Sequence, residues 1–168
     1  MKQIRQPITE QCFYVDNEYI LYSIPHVKNS ILLDYVVYKY LLGIPEQSGS
    51  PKNRIMRRDE RLRVTKNAIQ YYYSFNRDTN GLELIRNRVL RMIRGQYLIY
   101  FSMRDTKTGK EESIRFDNYL KEECPDLYDG LIKVGRMRSK LFFRVLRITK
   151  FRGFGVLAAL LHAVGDQQ

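Results

Sequence analysis

Tryptophan is absent from this 168-residue chain, and only two cysteines, two histidines and five prolines occur. Cys12 and Cys124 lie far apart in sequence with no metal-ligand spacing. Neither a disulfide framework nor a zinc site is expected of them; two reduced thiols in a cytosolic protein is the reading. His26 and His162 are as distant, and no H-x-x-x-H, C-x-x-C or D-x-D motif occurs. No metal-binding residues are therefore expected in the chain itself. A nucleophile-elbow G-x-S-x-G is also missing, as are the glycine-rich phosphate and dinucleotide loops. No apolar run approaches the ~20 residues that span a bilayer. The longest, Val156 to Val164, is interrupted by His162. The first residues, Met1 to Pro7, lack the apolar stretch of a secretory leader, so none is expected.

Cations are abundant. The formal net charge is +11, from 29 Lys and Arg against 18 Asp and Glu. The excess is uneven. Residues 1–50 hold 4 basic and 5 acidic residues, whereas residues 51–168 hold 25 and 13. The change falls at Ser48-Gly49-Ser50-Pro51, so two parts are expected, 1–50 and 51–168. A basic part calls for an anionic partner: nucleic acid, an anionic membrane or a phosphate-bearing ligand.

The pattern along the chain predicts mainly α structure with a small strand element. Asp16 is placed to cap a short helix over 17–22 that ends before Pro25. The run from Ser30 to Leu42 is dense in β-branched and aromatic residues, which predicts a strand partly buried on both faces. Gly43 to Pro51 follows as a loop. From Lys52 the period is helical, with Ile55, Leu62, Ile69 and Tyr72 on one face. Asn76 to Gly81 reads as a turn. A second helix is expected over 82–103, with Leu82, Ile85, Val89, Met92, Ile93 and Tyr97 inward. Asp105 to Gly109 reads as a break, 111–123 as a shorter helix, and Pro125 as the opening of the next.

Residues 131–153 hold eight basic residues and no acid. As one continuous helix, Lys133, Arg136, Lys140, Arg144 and Arg147 would share a face about 80° wide. Leu131, Val134, Met137, Leu141, Phe142, Val145 and Ile148 would cover the other side. Gly153-Phe154-Gly155 then hinges into an apolar segment. This pattern suits a helix lying on an anionic membrane; packing on its own domain with a solvated basic face is the competing reading. Tyr71-Tyr72-Tyr73 suggests base stacking, but tyrosines spanning one helical turn must place at least one in the core.

Asp16 and Glu18 form an acidic pair among aromatic residues. They read either as a helix cap or as a general base at a helix end. The stretch Tyr14-Val15-Asp16-Asn17-Glu18-Tyr19, continued by Val27-Lys28, Val37-Tyr38-Lys39-Tyr40, Gly43 and Gln47-Ser48, resembles bacterial family 2 glycosyltransferases. In that family an Asp-Asn-Glu-(Tyr/Trp) type segment leads a helix, a Gly-x-x-x-Gln-Ser segment follows, and a helical region comes next. The resemblance covers about Phe13 to Pro51. It implies the C-terminal part of a GT-A-like α/β glycosyltransferase followed by a helical region, and an inverting hexosyltransferase when complete. Asp16 would be the base that deprotonates the acceptor hydroxyl. Asn17, Glu18, Gln47 and Ser48 would contact the acceptor side.

The family's nucleotide-binding β-α units and its metal-holding D-x-D lie before the acidic segment. Here only fifteen residues precede Asp16. The chain is therefore expected to be an acceptor-side portion, inactive alone, with Mg or Mn and the nucleotide-sugar belonging to a separate donor-binding half. The resemblance implies a lipid-linked or glycan acceptor in cell-envelope or exopolysaccharide assembly, and a cytoplasmic location peripheral to the inner face of the membrane. The alternative expectation is a non-catalytic basic helical module that binds anionic membrane or nucleic acid.

Overall fold

A computed structural model describes residues 6–36, 38–39 and 50–165, with side chains up to Ala159. Among these residues all regular structure is helical: α1 Asp16–Ser23, a 3-10 turn Ile24–His26, α2 Pro51–Met56, α3 Arg58–Tyr73, α4 Leu82–Phe101, α5 Thr106–Glu123, α6 Pro125–Lys133, α7 Met137–Ile148 and α8 Phe154–Gly165. The mainly α expectation holds. The chain forms two compact units, 1–85 and 86–168, that divide in the first turn of α4. This division differs from the compositional one at residue 50, because α2 and α3 pack in the same unit as α1.

In the first unit, α1 begins at Asp16 and runs into the 3-10 turn at Pro25, where the ring suits a first turn but removes a donor. Ser50 caps α2 through its hydroxyl, which accepts the N–H of Asn53 (3.3 Å). The inward face of α3 is Val64, Thr65, Ala68, Ile69 and Tyr71. Of the expected face only Ile69 is buried; Ile55, Leu62 and Tyr72 are half-buried. The helix breaks at Arg57, so a face counted continuously from Lys52 is out of phase beyond it. Tyr71 turns inward beside Tyr22 (ring centroids 4.5 Å), and its hydroxyl donates to the Tyr22 carbonyl (3.3 Å).

The expected strand is not seen among the described residues of its run. Ile31, Leu32, Leu33, Tyr35, Val36 and Tyr38 are exposed, Leu32 to 99 %. The sequence pattern marks a segment suited to a sheet, but a strand requires a neighbour for its backbone groups. Val37 and Tyr40 to Leu42 lie outside the described residues.

In the second unit the buried core comprises Val89, Leu90, Ile93 and Tyr97 of α4, Phe116 and Leu120 of α5, Leu127 and Leu131 of α6, and Phe143 and Leu146 of α7, with the Tyr97 ring against those of Phe116 and Phe143. Helix α5 starts five residues earlier than the sequence pattern indicates. The Asp105 carboxylate accepts the N–H groups of Lys107 (3.1 Å) and Thr108 (3.2 Å) and nucleates the turn. Gly109 is then helical, and its lack of a side chain lets it lie against the Tyr100 carbonyl of α4. The helix expected through 131–150 is broken. Val134 and Arg136 are extended and Gly135 takes φ +104°. The Arg94 guanidinium donates to the carbonyls of Leu131 and Val134, satisfying the end of α6.

Candidate functional site

Glu18 anchors the candidate site. It is fully buried in the first turn of α1. Its carboxylate accepts the Thr9 N–H (2.8 Å), the Thr9 hydroxyl (2.7 Å) and the Asn67 amide (3.0 Å). It also accepts from the Tyr22 hydroxyl. Burial, then the Glu18 charge and this bond, push the Tyr22 phenol above its ordinary pKa. A buried carboxylate is tolerable only with such partners. The network ties the residue 9 segment and α3 to α1 and fixes the start of α1 in place. Thr9, Tyr22 and Asn67 also line a cleft of about 430 Å³ with Tyr71 and Ser74; Asp16 is not in its lining.

Asp16, by contrast, is exposed in the first turn of α1. Tyr14, two residues before it, sits at φ +72°, a strained conformation for an aromatic residue. The Tyr14 carbonyl accepts both the backbone N–H of Asn17 (3.0 Å) and its side-chain amide (3.1 Å). That amide also approaches Asp16 Oδ1 at 3.3 Å. Asn17 thus buttresses the turn that presents Asp16. Val15, not Asp16, occupies the N-cap, with no side-chain cap bond. Tyr19 and Ile20 are exposed at i+3 and i+4 from Asp16, so carboxylate, ring and aliphatic chain share one face.

Arginines rim this turn. The Arg57 guanidinium lies 3.3 Å from the centroid of the Phe13 ring, and that of Arg61 5.3 Å from the Tyr14 ring. The Nε atoms of both are buried with no hydrogen-bond partner. Burial lowers the pKa of Arg61; Arg54 acts the same way, while Tyr14 and Asp16 oppose it. Glu60 is occupied, accepting the Phe13 N–H (2.8 Å). An exposed carboxylate, an aromatic face and adjacent guanidinium groups can together receive a hydroxyl-bearing ligand that carries anionic charge. The sequence reading missed Tyr19, Arg57 and Arg61. The i+3 spacing from Asp16 was the available signal for Tyr19; Arg57, at the break between α2 and α3, and Arg61, on α3, come from a distant stretch and had none.

Gln47 and Ser48 lie outside the described residues. The five basic residues expected on one face are not brought together. Lys133 ends α6 in an ion pair with Asp129 (2.8 Å). Arg136 precedes α7, and Lys140 and Arg144 lie on it. Arg147 turns inward: its Nε donates to Asp117 (3.2 Å), its Nη1 to the Tyr128 carbonyl (2.9 Å), and it stacks on the Tyr128 ring (3.3 Å).

Among the described residues no group of three or more His, Cys, Asp or Glu side chains is placed to hold a metal ion. No described helix is long and apolar enough to cross a membrane. Comparison with family models, curated proteins and solved structures finds no match.

Proposed function

We propose that the chain is the acceptor-side portion of a family 2-like inverting glycosyltransferase, with Asp16 as the base. The carrying observation is the exposed Asp16 carboxylate on a turn held by Asn17 and, two residues on, by buried Glu18. An alcohol is a poor nucleophile until a positioned carboxylate takes its proton. Asp16 would accept the acceptor hydroxyl proton as that oxygen bonds to C1 of the donor sugar. The C1–O bond to the nucleoside diphosphate breaks on the opposite face. Tyr19 offers a ring on which a sugar can stack, and Arg54, Arg57 and Arg61 favour a phosphate-bearing acceptor or donor nearby.

The exposed Ile31, Leu32, Leu33, Tyr35 and Val36 support a partner for this unit. A donor-binding half outside the described residues would cover them and supply the nucleotide site. Mg or Mn would belong to that half together with the nucleotide-sugar. The acceptor would be a lipid-linked or glycan molecule of the cell envelope, used by a cytoplasmic enzyme held at the inner face of the membrane. The second reading is a non-catalytic basic helical module on anionic membrane or nucleic acid, favoured by the exposed apolar face of α7.

The test is transfer of labelled sugar into the lipid fraction by cells producing the chain, with Asp16→Asn as the variant. Loss of transfer with an unchanged circular dichroism spectrum is expected. Full transfer by Asp16→Asn refutes the assignment of the base. The purified chain with Mg or Mn is expected not to turn over a nucleotide-sugar. Turnover abolished by Asp16→Asn would keep the base and refute the need for a second half.

A further inference from the structure

Helix α7 carries two apolar faces, and only one of them is packed. Phe143 and Leu146 are buried in the unit core, with Arg147 beside them. On the other side Met137, Leu141, Val145 and Ile148 are 76, 58, 42 and 81 % exposed. At 100° per residue these four fall within about 80° of one another. On one continuous helix through 131–150 these four would share their face with Leu131, Val134 and Phe142, either toward a membrane or toward the core. The break at 134–136 separates α7 from α6, and the phase of the buried face is set by Phe143 and Leu146.

Charge along the stripe has one sign. Arg144 and Lys140 follow one border, about 20° and 60° from Met137, and Arg138 follows the other at about 100°. From residue 130 to 165 there are eight Lys and Arg and no Asp or Glu. The stripe is aliphatic, with no aromatic anchor of the kind that dominates protein interfaces. Twelve residues extend about 18 Å, enough to lie along a surface but not to cross one. Five residues after it, α8 begins Phe154-Gly155-Val156, with Val156 exposed.

We infer that α7 docks on an anionic lipid surface, with Met137, Leu141, Val145 and Ile148 entering the acyl boundary. Lys140, Arg144 and Arg138 meet the headgroup phosphates on either side. Lys133 and Arg147 take no part, since Asp129 holds the first and Asp117 and Tyr128 the second. This deepens the peripheral-membrane part of the reading above. It rests on that location and not on the chemistry of Asp16.

The absence of tryptophan supplies a clean reporter. The Ile148→Trp variant is mixed with vesicles of equal parts phosphatidylglycerol and phosphatidylcholine. A blue-shifted indole emission, quenched by lipids brominated on the acyl chain, is expected. Leu141→Gln with Val145→Gln is expected to weaken vesicle binding by at least about tenfold at any salt concentration. Lys140→Glu with Arg144→Glu is expected to weaken it by about fivefold or more per charge at low salt, and far less at high salt. None of these four positions is buried, and circular dichroism checks that the variants fold.

Vesicle binding by Ile148→Trp with an unshifted, unquenched indole emission would overturn insertion while leaving a peripheral, electrostatic location standing. Equal binding to vesicles of phosphatidylcholine alone would overturn the requirement for anionic lipid. No binding to any vesicle overturns both the inference and the membrane location. RNA binding lost in the charge variants would then assign the surface to nucleic acid, and a dimer dispersed by the glutamine variants would assign it to a second copy of the chain.

Discussion

Asp117→Ala should be among the most damaging single substitutions in the second unit. The Asp117 side chain is 8 % exposed and that of its partner Arg147 is 11 % exposed. Asp117 Oδ1 accepts the Tyr97 hydroxyl at 2.7 Å and Arg147 Nε at 3.2 Å. Deleting the carboxylate leaves a buried phenol donor unsatisfied, which costs about 1–3 kcal/mol. It also leaves a largely buried guanidinium without its counter-charge; breaking such a pair costs about 3–5 kcal/mol, and the two costs overlap. The expected loss is about 3–5 kcal/mol, a large share of the ~5–15 kcal/mol that holds a typical domain together.

The Arg86–Asp126 pair (3.1 Å) serves as an internal comparison, because Asp126 is 49 % exposed. Surface pairs contribute about 0–1 kcal/mol, so Asp126→Ala should be nearly silent. Urea unfolding followed by circular dichroism compares the two directly. Replacing both partners, Asp117→Leu with Arg147→Met, should recover much of the loss, since an apolar pair leaves no stranded charge. If Asp117→Ala costs no more than Asp126→Ala, the network is not the fastening described.

Three other expectations follow from the structure. Burial, then the Asp117 charge and hydrogen bond, push the Tyr97 phenol well above its ordinary pKa of 10.0. The unfolded chain therefore releases that proton first, so stability is intact below pH ~10 and falls above it, by at most about 1.4 kcal/mol per pH unit for each such tyrosine. Alkaline unfolding should be less steep in Tyr97→Phe. Glu18→Ala should cost about 2–4 kcal/mol by stranding Thr9, Asn67 and Tyr22. Asp16→Asn should stay within about 0.5 kcal/mol, and equal effects at the two positions would contradict the division into anchor and exposed acid. Gly109→Ala should destabilise by about 1–3 kcal/mol despite the better helix propensity of alanine, because the new methyl meets the Tyr100 carbonyl. A rise in melting temperature would show that α5 does not approach α4 as described.

Helices with strong local signals were legible in the sequence. Pro25 and Pro125 marked a helix end and a helix start, and the apolar period of 82–103 gave α4 and its buried Ile85, Val89, Met92, Ile93 and Tyr97, but not Leu90, Ile99, Tyr100 or Phe101. Phase was lost wherever a break had no strong signal. Arg57 interrupts α2 and α3 without a glycine or proline. At Gly135 the lone glycine sat in a pattern that continued smoothly across it. The same error put Arg147 on the outer basic face and merged the α7 stripe with Leu131 and Val134 of α6. Arg147 is a cation inside because Asp117, thirty residues away, meets it there, and helical periodicity carries no record of such a partner. At the candidate site, Asp16 was legible as an acid at a helix start. The different fate of Glu18 was not, because its burial depends on Thr9 and Asn67 arriving from two other segments.

The ion pair inside the second unit also acts as a rotational stop. A helix held only by aliphatic side chains can roll about its axis to hide whichever side is greasier. Rolling α7 would drag the Arg147 guanidinium away from both Asp117 and the Tyr128 carbonyl, so each degree of roll is resisted by polar groups that have nowhere else to go. The helix is thereby kept from sheltering Leu141 and Ile148 in its own unit. Weakening that stop, as in Arg147→Met, would let the greasy side turn in, and the variant would lose adhesiveness along with stability.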